Sequence, residues 1–303
     1  MNPSRRQFTK QLTGLGIGLV AGMGGHASMA MDPLERPAPG RLKLSLAAYS
    51  MRQYLTPQNG QPPQMTLFDF VDYCADQGLF GAELTSYYFP DEVDDDYLFK
   101  LKRHCHLRGV TVSGGAIRND FCNPDSEKVA QDLEHTRRWI DYYARLGTSV
   151  IRIFAGREIA GESLETTLAR CAANCERACE YAAQYQMLLA LENHGGVTAR
   201  AEGLLGIVRQ VQSPAFGVNF DSGNFRSTDD PYAELEQIAP YAINAQIKVE
   251  MHRQGRTEET DLARVLDILR RAGYSGWVAL EYEASEDPLT AIPRWLRRLQ
   301  ELI

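Results

Sequence analysis

The chain reads as an α/β protein built as a single (β/α)8 barrel, and three observations predict this. Short apolar runs alternate eight times with longer stretches of helical periodicity from Arg41 onward. Eight strand–helix units over about 260 residues match the usual size of such a barrel. The residues after the first strand, "SLAAYSMRQY", lack the glycine-rich phosphate fingerprint that a doubly wound open sheet would carry there.

The strands are expected at 42–49, 81–84, 110–117, 149–156, 187–193, 215–220, 244–249 and 276–283. Helices are expected between them, near 65–77, 94–108, 125–146, 163–186, 199–211, 231–239, 259–272 and 287–302. "SEKVAQDLEHTRRWIDYYARLG" shows the pattern well: apolar residues recur at helical spacing and a glycine closes the helix. No linker-like stretch divides 31–303, so these residues form one domain. The polar loop "TPQNGQPPQ" at 56–64 is long enough to overhang the barrel mouth.

A hydrophobic content of 44% with 23% charged residues describes a globular chain. A net charge of −7 argues against a general nucleic-acid binder. Residues 1–30 stand apart. "SRRQFTK" (Ser4 to Lys10) matches the twin-arginine pattern, an apolar stretch follows from Leu12 to Met23, and "SMA" (Ser28 to Ala30) offers a cleavage site. The expectation is a twin-arginine signal peptide, recognition by that export machinery, and a mature protein in the periplasm with no membrane span. Without Arg5, Arg6 and Lys10, 29 basic residues face 39 acidic ones, a net charge of −10. Because that route carries folded proteins, a metal or cofactor loaded before export is expected. Cys171, Cys175 and Cys179 share one helix face and read as small, half-buried core residues.

Chemistry in such a barrel sits at the C-terminal strand ends. The fifth strand ends in Glu192, Asn193 and His194, and the sixth in Asp221. The seventh carries Gln246 and Lys248, and the eighth Glu281. Each spacing is about one β–α unit, so Glu192, Asp221, Gln246 and Glu281 are expected at one height, pointing inward. Converging carboxylates repel one another unless a cation lies among them. Oxygen ligands suit Mn²⁺ or Mg²⁺, with Zn²⁺ or Co²⁺ as alternatives. The opposing reading places these carboxylates in ion pairs with Arg152, Lys248 or Arg253. Arg152, in "VIRIFAG", is expected to face the barrel interior, and Glu83 to join the polar shell. Tyr49, Arg118 and Asn119, at strand ends one and three, are candidate substrate contacts.

Over most of the chain after residue 30, and most strongly from Met187 to Glu283, the residues resemble the sugar phosphate isomerase/epimerase family with the xylose isomerase-like TIM barrel. That group includes tagatose epimerases and hydroxypyruvate isomerases. The resemblance implies a sugar substrate and metal ligands at Glu192, Asp221, Gln246 and Glu281. It also implies that Glu192 and Glu281 act as an acid/base pair through an enediolate, with His194 as a substrate contact or auxiliary base. Gln246 departs from the common histidine, and "DSGN" puts Asn224 where a histidine often contacts substrate. Lys248, Arg152, Asn224, Arg118, Tyr49 and Arg253 are the candidate substrate-binding residues. Three functions remain open: isomerase or epimerase; lyase or dehydratase of an oxidised sugar such as a 3-keto-glycoside; and a non-catalytic periplasmic sugar-binding protein. A homo-oligomer is compatible with each.

Overall fold

The computed structural model describes residues 31–36 and 41–303, so the signal-peptide reading of 1–30 lies outside the described residues. The strands in chain order are β1 (Leu42–Ala47), β2 (Gly81–Thr85), β3 (Thr111–Ala116), β4 (Val150–Ile153) and β5 (Leu188–Glu192). They continue with β6 (Phe216–Asp221), β7 (Ala242–Ile247), β8 (Glu250–Arg253), β9 (Arg256–Glu259) and β10 (Gly276–Leu280). The helices are α1 (Arg52–Leu55), α2 (Leu67–Asp76), α3 (Asp95–Leu107), α4 (Ser126–Leu146) and α5 (Leu164–Gln184). After them come α6 (Ala201–Val208), α7 (Pro231–Ile238), α8 (Leu262–Arg271) and α9 (Pro288–Leu302). Eight parallel strands close into a barrel, β1 through β7 and then β10, which pairs back to β1. The expected (β/α)8 barrel is therefore the fold.

Local sequence explains where the helices begin. Thr66, Asp94, Asp125, Ser163, Asp230, Asp261 and Asp287 each accept a backbone N–H that the first turn leaves without a partner. Pro231 and Pro288 occupy first-turn positions where no N–H is needed. Gly147, with φ of 89°, closes α4 in the left-handed region. On α4, Val129, Leu133, Thr136, Ile140 and Tyr143 form the buried stripe against the barrel. Cys171, Cys175 and Cys179 lie on one face of α5 as expected, but fully buried rather than half-buried, and each is a free thiol.

Several strands are shorter than the sequence predicts, and this matters for the site. β1 passes into a 3-10 turn at Ala48–Met51, so Tyr49 sits on that turn. β7 stops at Ile247 and β10 at Leu280, which leaves Lys248 and Glu281 one residue beyond their strands. The antiparallel hairpin β8–β9 was not expected. Its two-residue turn, Gln254–Gly255, has φ of 49° and 74°. The exposed loop 56–64 folds on itself through a Gln58–Gln61 bridge and lines none of the cavities at the mouth, contrary to the overhang expected.

Candidate active site at the barrel mouth

Below the mouth the barrel holds a polar network. Gln246 Nε2 donates to Glu83 Oε1 at 2.6 Å, and Asn244 Nδ2 lies 3.0 Å from Glu83 Oε2 and 2.8 Å from Asn219 Oδ1. Asn219 Nδ2 donates to Gln246 Oε1 at 2.6 Å. Both ends of the Gln246 amide are therefore engaged. Gly114 on β3 makes room for this network, because a Cβ there would lie 3.1 Å from Glu83 Oε2.

Above it stand the charges. Glu192, at the end of β5, meets Arg152 Nε at 2.7 Å and accepts from Asn224 Nδ2 at 2.7 Å. Lys248 Nζ lies 3.2 Å from Asp221, 3.3 Å from Glu281 and 3.2 Å from Glu283, and donates to Asn224 Oδ1 at 2.9 Å. Asn193 answers why β5 ends as it does. Its amide donates to Asp221 O and accepts from Asp221 N, so it locks β5 to β6 while Glu192 points inward. Thr198 Oγ1 caps the Glu192 carbonyl and receives His194 N–H. Ser50 and Arg52 hold the backbone after β10: Ser50 Oγ donates to Leu280 O and accepts from Tyr282 N, and Arg52 donates to Tyr282 O.

Burial sets the protonation behaviour of this cluster. It pushes Glu83, Glu192 and Glu281 up to about 7, and Asp221 up to about 6, against the pull of Arg152 and Lys248. Burial alone would lower Lys248, but attraction to Asp221, Glu281, Glu283 and Glu192 outweighs it, and the ammonium stays charged. Burial, then the Arg152 charge, pulls His194 down to about 4. His194 is thus neutral at neutral pH, its ring 4.3 Å from Phe154.

Glu192, Glu281, Lys248, Arg152, His194 and Tyr49 line one cavity of about 130 Å³ at the C-terminal face. The family model for the xylose isomerase-like TIM barrel matches residues 71–299. The chain belongs to that family. No curated protein matches it. Among solved structures, a D-tagatose 3-epimerase-like protein is 16% identical, with TM-score 0.69 over 86% of this chain and 98% of its own. The 3-keto-D-glucoside 4-epimerase of E. coli is 14% identical, with TM-score 0.68 over 86% and 100%. An L-ribulose 3-epimerase is 17% identical, with TM-score 0.65 over 84% and 86%. At such identities the likeness is one of fold.

In this xylose isomerase-like barrel each of the four expected metal ligands contacts other side chains of the barrel. Gln246 turns its carbonyl onto Asn219. The Glu192 carboxylate is taken by Arg152 and Asn224. The Lys248 ammonium lies 3.2 Å from Asp221 and 3.3 Å from Glu281. Among the described residues, no group of three or more His, Cys, Asp or Glu side chains is disposed to hold a metal. Gln246 is registered with Ala279, and Glu281 N–H donates to Ile247 O, so Lys248 rather than Gln246 stands beside Glu281. The ion pairing weighed as the opposing reading holds for Arg152 and Lys248.

Arg253 stands apart from the other candidate contacts. It sits on β8, lies 3.6 Å from Glu258 across the hairpin, and is not among the residues lining this cavity. Arg118 stacks on Tyr87 at 4.1 Å and, with Asn119 and His194, borders a second cavity of about 430 Å³. Sequence reasoning missed Glu283, Arg226 and Phe154, all bordering the cavities at the mouth. Glu283 carried a signal: it follows Glu281 by two residues in "EYE".

Proposed function

We propose that this xylose isomerase-like barrel is a sugar isomerase or epimerase that moves a proton beside a carbonyl. The observation that carries the reading is a pair of buried glutamates, Glu192 and Glu281, both pushed to about 7 and both lining one cavity at the C-terminal face. A carboxyl near neutrality exists in both forms at working pH, which suits proton transfer in either direction. One glutamate, ionised, takes the proton from the carbon next to the carbonyl. The electron pair moves onto the carbonyl oxygen, and the other glutamate, protonated, returns a proton. Arg152 and Lys248 face the developing negative charge, and fixed cations in a water-poor site act strongly there. His194, neutral, contacts a substrate hydroxyl, and Tyr49, Arg118 and Asn224 complete the sugar contacts.

A solved neighbour, the 3-keto-D-glucoside 4-epimerase of E. coli, makes oxidised glycosides part of the substrate panel. An elimination would share the first proton abstraction and differ only in a leaving group on the next carbon.

The test is solvent exchange. The purified protein is incubated in D₂O with ketoses and 3-keto-glycosides and followed by proton NMR. Deuterium should enter at the carbon next to the carbonyl, and Glu281→Gln should slow this by about 10²–10⁴-fold with its melting temperature retained. No exchange across the panel by a folded protein would remove the isomerase reading.

A further inference from the structure

Lys248 has an unusual setting for a buried amine. Its Nζ is bounded by four oxygen-bearing side chains from two strand ends: Asp221 at 3.2 Å, Asn224 at 2.9 Å, Glu281 at 3.3 Å and Glu283 at 3.2 Å. The side chain is only 6% exposed. Its path is built into the fold. The Lys248 N–H donates to Ser222 Oγ at 2.8 Å, and a Cβ on Gly223 would come within 2.7 Å of Lys248 Cδ. The serine and glycine of "DSGN" thus hold and admit the lysine stem. The groups that would have to turn toward a metal are committed elsewhere, Gln246 to Asn219 and Glu83, Glu192 to Arg152 and Asn224.

We infer that the Lys248 ammonium is the resident cation of this site, standing among Asp221, Glu281 and Glu283 where the ligand set implied by the family resemblance would hold a divalent metal. A compact ammonium with three donors satisfies several carboxylates at once, as a small metal ion does. The inference has two parts. The first is structural: the carboxylate cluster is neutralised by lysine and binds no metal at stoichiometry. The second rests on the isomerase reading: the Lys248 amine, 3.3 Å from Glu281 in the wall of the same cavity, faces the oxygen charge while the glutamates move the proton, so exchange needs no metal.

The test separates these parts. The purified protein is dialysed against EDTA, offered Mn²⁺ or Co²⁺, desalted, and examined by elemental mass spectrometry and thermal melting. Neither treatment should leave metal in proportion to protein or move the melting temperature. Lys248→Ala, which frees the three carboxylates, should gain Mn²⁺ and melt higher with it. Wild-type protein holding one metal per chain, lost in Asp221→Asn, would overturn the inference, and so would a folded Lys248→Ala that takes no cation. If Lys248→Ala does not fold, cobalt titration of the wild type decides: stoichiometric binding overturns the inference and its absence sustains it. These readouts need no substrate, so a failed substrate panel leaves them intact. Where a substrate is found, exchange abolished by EDTA would overturn the second part.

Discussion

At the scale of single residues, burial governs the carboxyl groups of this site more than charge pairing does. Glu83, Glu192 and Glu281 rise from 4.5 to about 7, and Asp221 from 3.8 to about 6. Between those values the folded state holds protons that the unfolded chain has released. Stability therefore falls as pH rises through this window. His194, lowered from 6.5 to about 4, acts in the opposite direction, but it is one group against four. Urea unfolding should show a larger free energy at about pH 5 than at about pH 8, and Glu281→Gln should flatten that slope. A slope of opposite sign would mean that these carboxyls ionise freely in the folded state. Gln246 carries the complementary lesson. Its position in the sequence suits a ligand, but its amide is consumed by Asn219 and Glu83.

At the scale of elements, close approaches set what each strand tolerates. Gly115 on β3 lies under Tyr143 of α4, where an added Cβ would meet the ring at 2.5 Å. The Tyr143 hydroxyl donates to Leu84 O and receives the Ala116 N–H, so the ring has little freedom to retreat. Gly115→Ala should cost about 1–3 kcal/mol by denaturant unfolding, as overpacking does. A change inside about 0.5 kcal/mol would show that α4 can shift. The β8–β9 hairpin shows the limit of pattern reading. Its turn is Gln-Gly, not the Asn-Gly or Asp-Gly that usually marks such a hairpin, and its strands are polar. Yet it walls the cavity beside Lys248 and Glu283 through Met251, His252 and Thr257.

At the scale of the whole molecule, the acidic balance and the "SRRQFTK" segment bear on where the protein works. Export by the twin-arginine route is our proposal for residues 1–30. Replacing Arg5 and Arg6 by lysine should retain the chain in the cytoplasm at full length. The natural sequence should appear in the periplasm, shortened by about 3 kDa. Equal distribution of the two in cell fractions would refute the export reading. Among the described residues, no helix is long and apolar enough to cross a membrane.

The sequence by itself determined the class of fold, because apolar periodicity and capping residues are local and each strand–helix unit repeats them. It also determined which residues reach the mouth: Glu192, His194, Lys248 and Glu281 all line the cavity. Tertiary structure alone decided how they are paired. Strand register set Lys248, not Gln246, beside Glu281. The bulge between Val218 and Asn219 and the early ends of β7 and β10 are properties of strand pairing, not of any one segment. A carboxylate at a strand end reads alike whether a metal or an ammonium will face it. Only closure of the barrel brings side chains from distant strands within 3.3 Å of the Lys248 nitrogen.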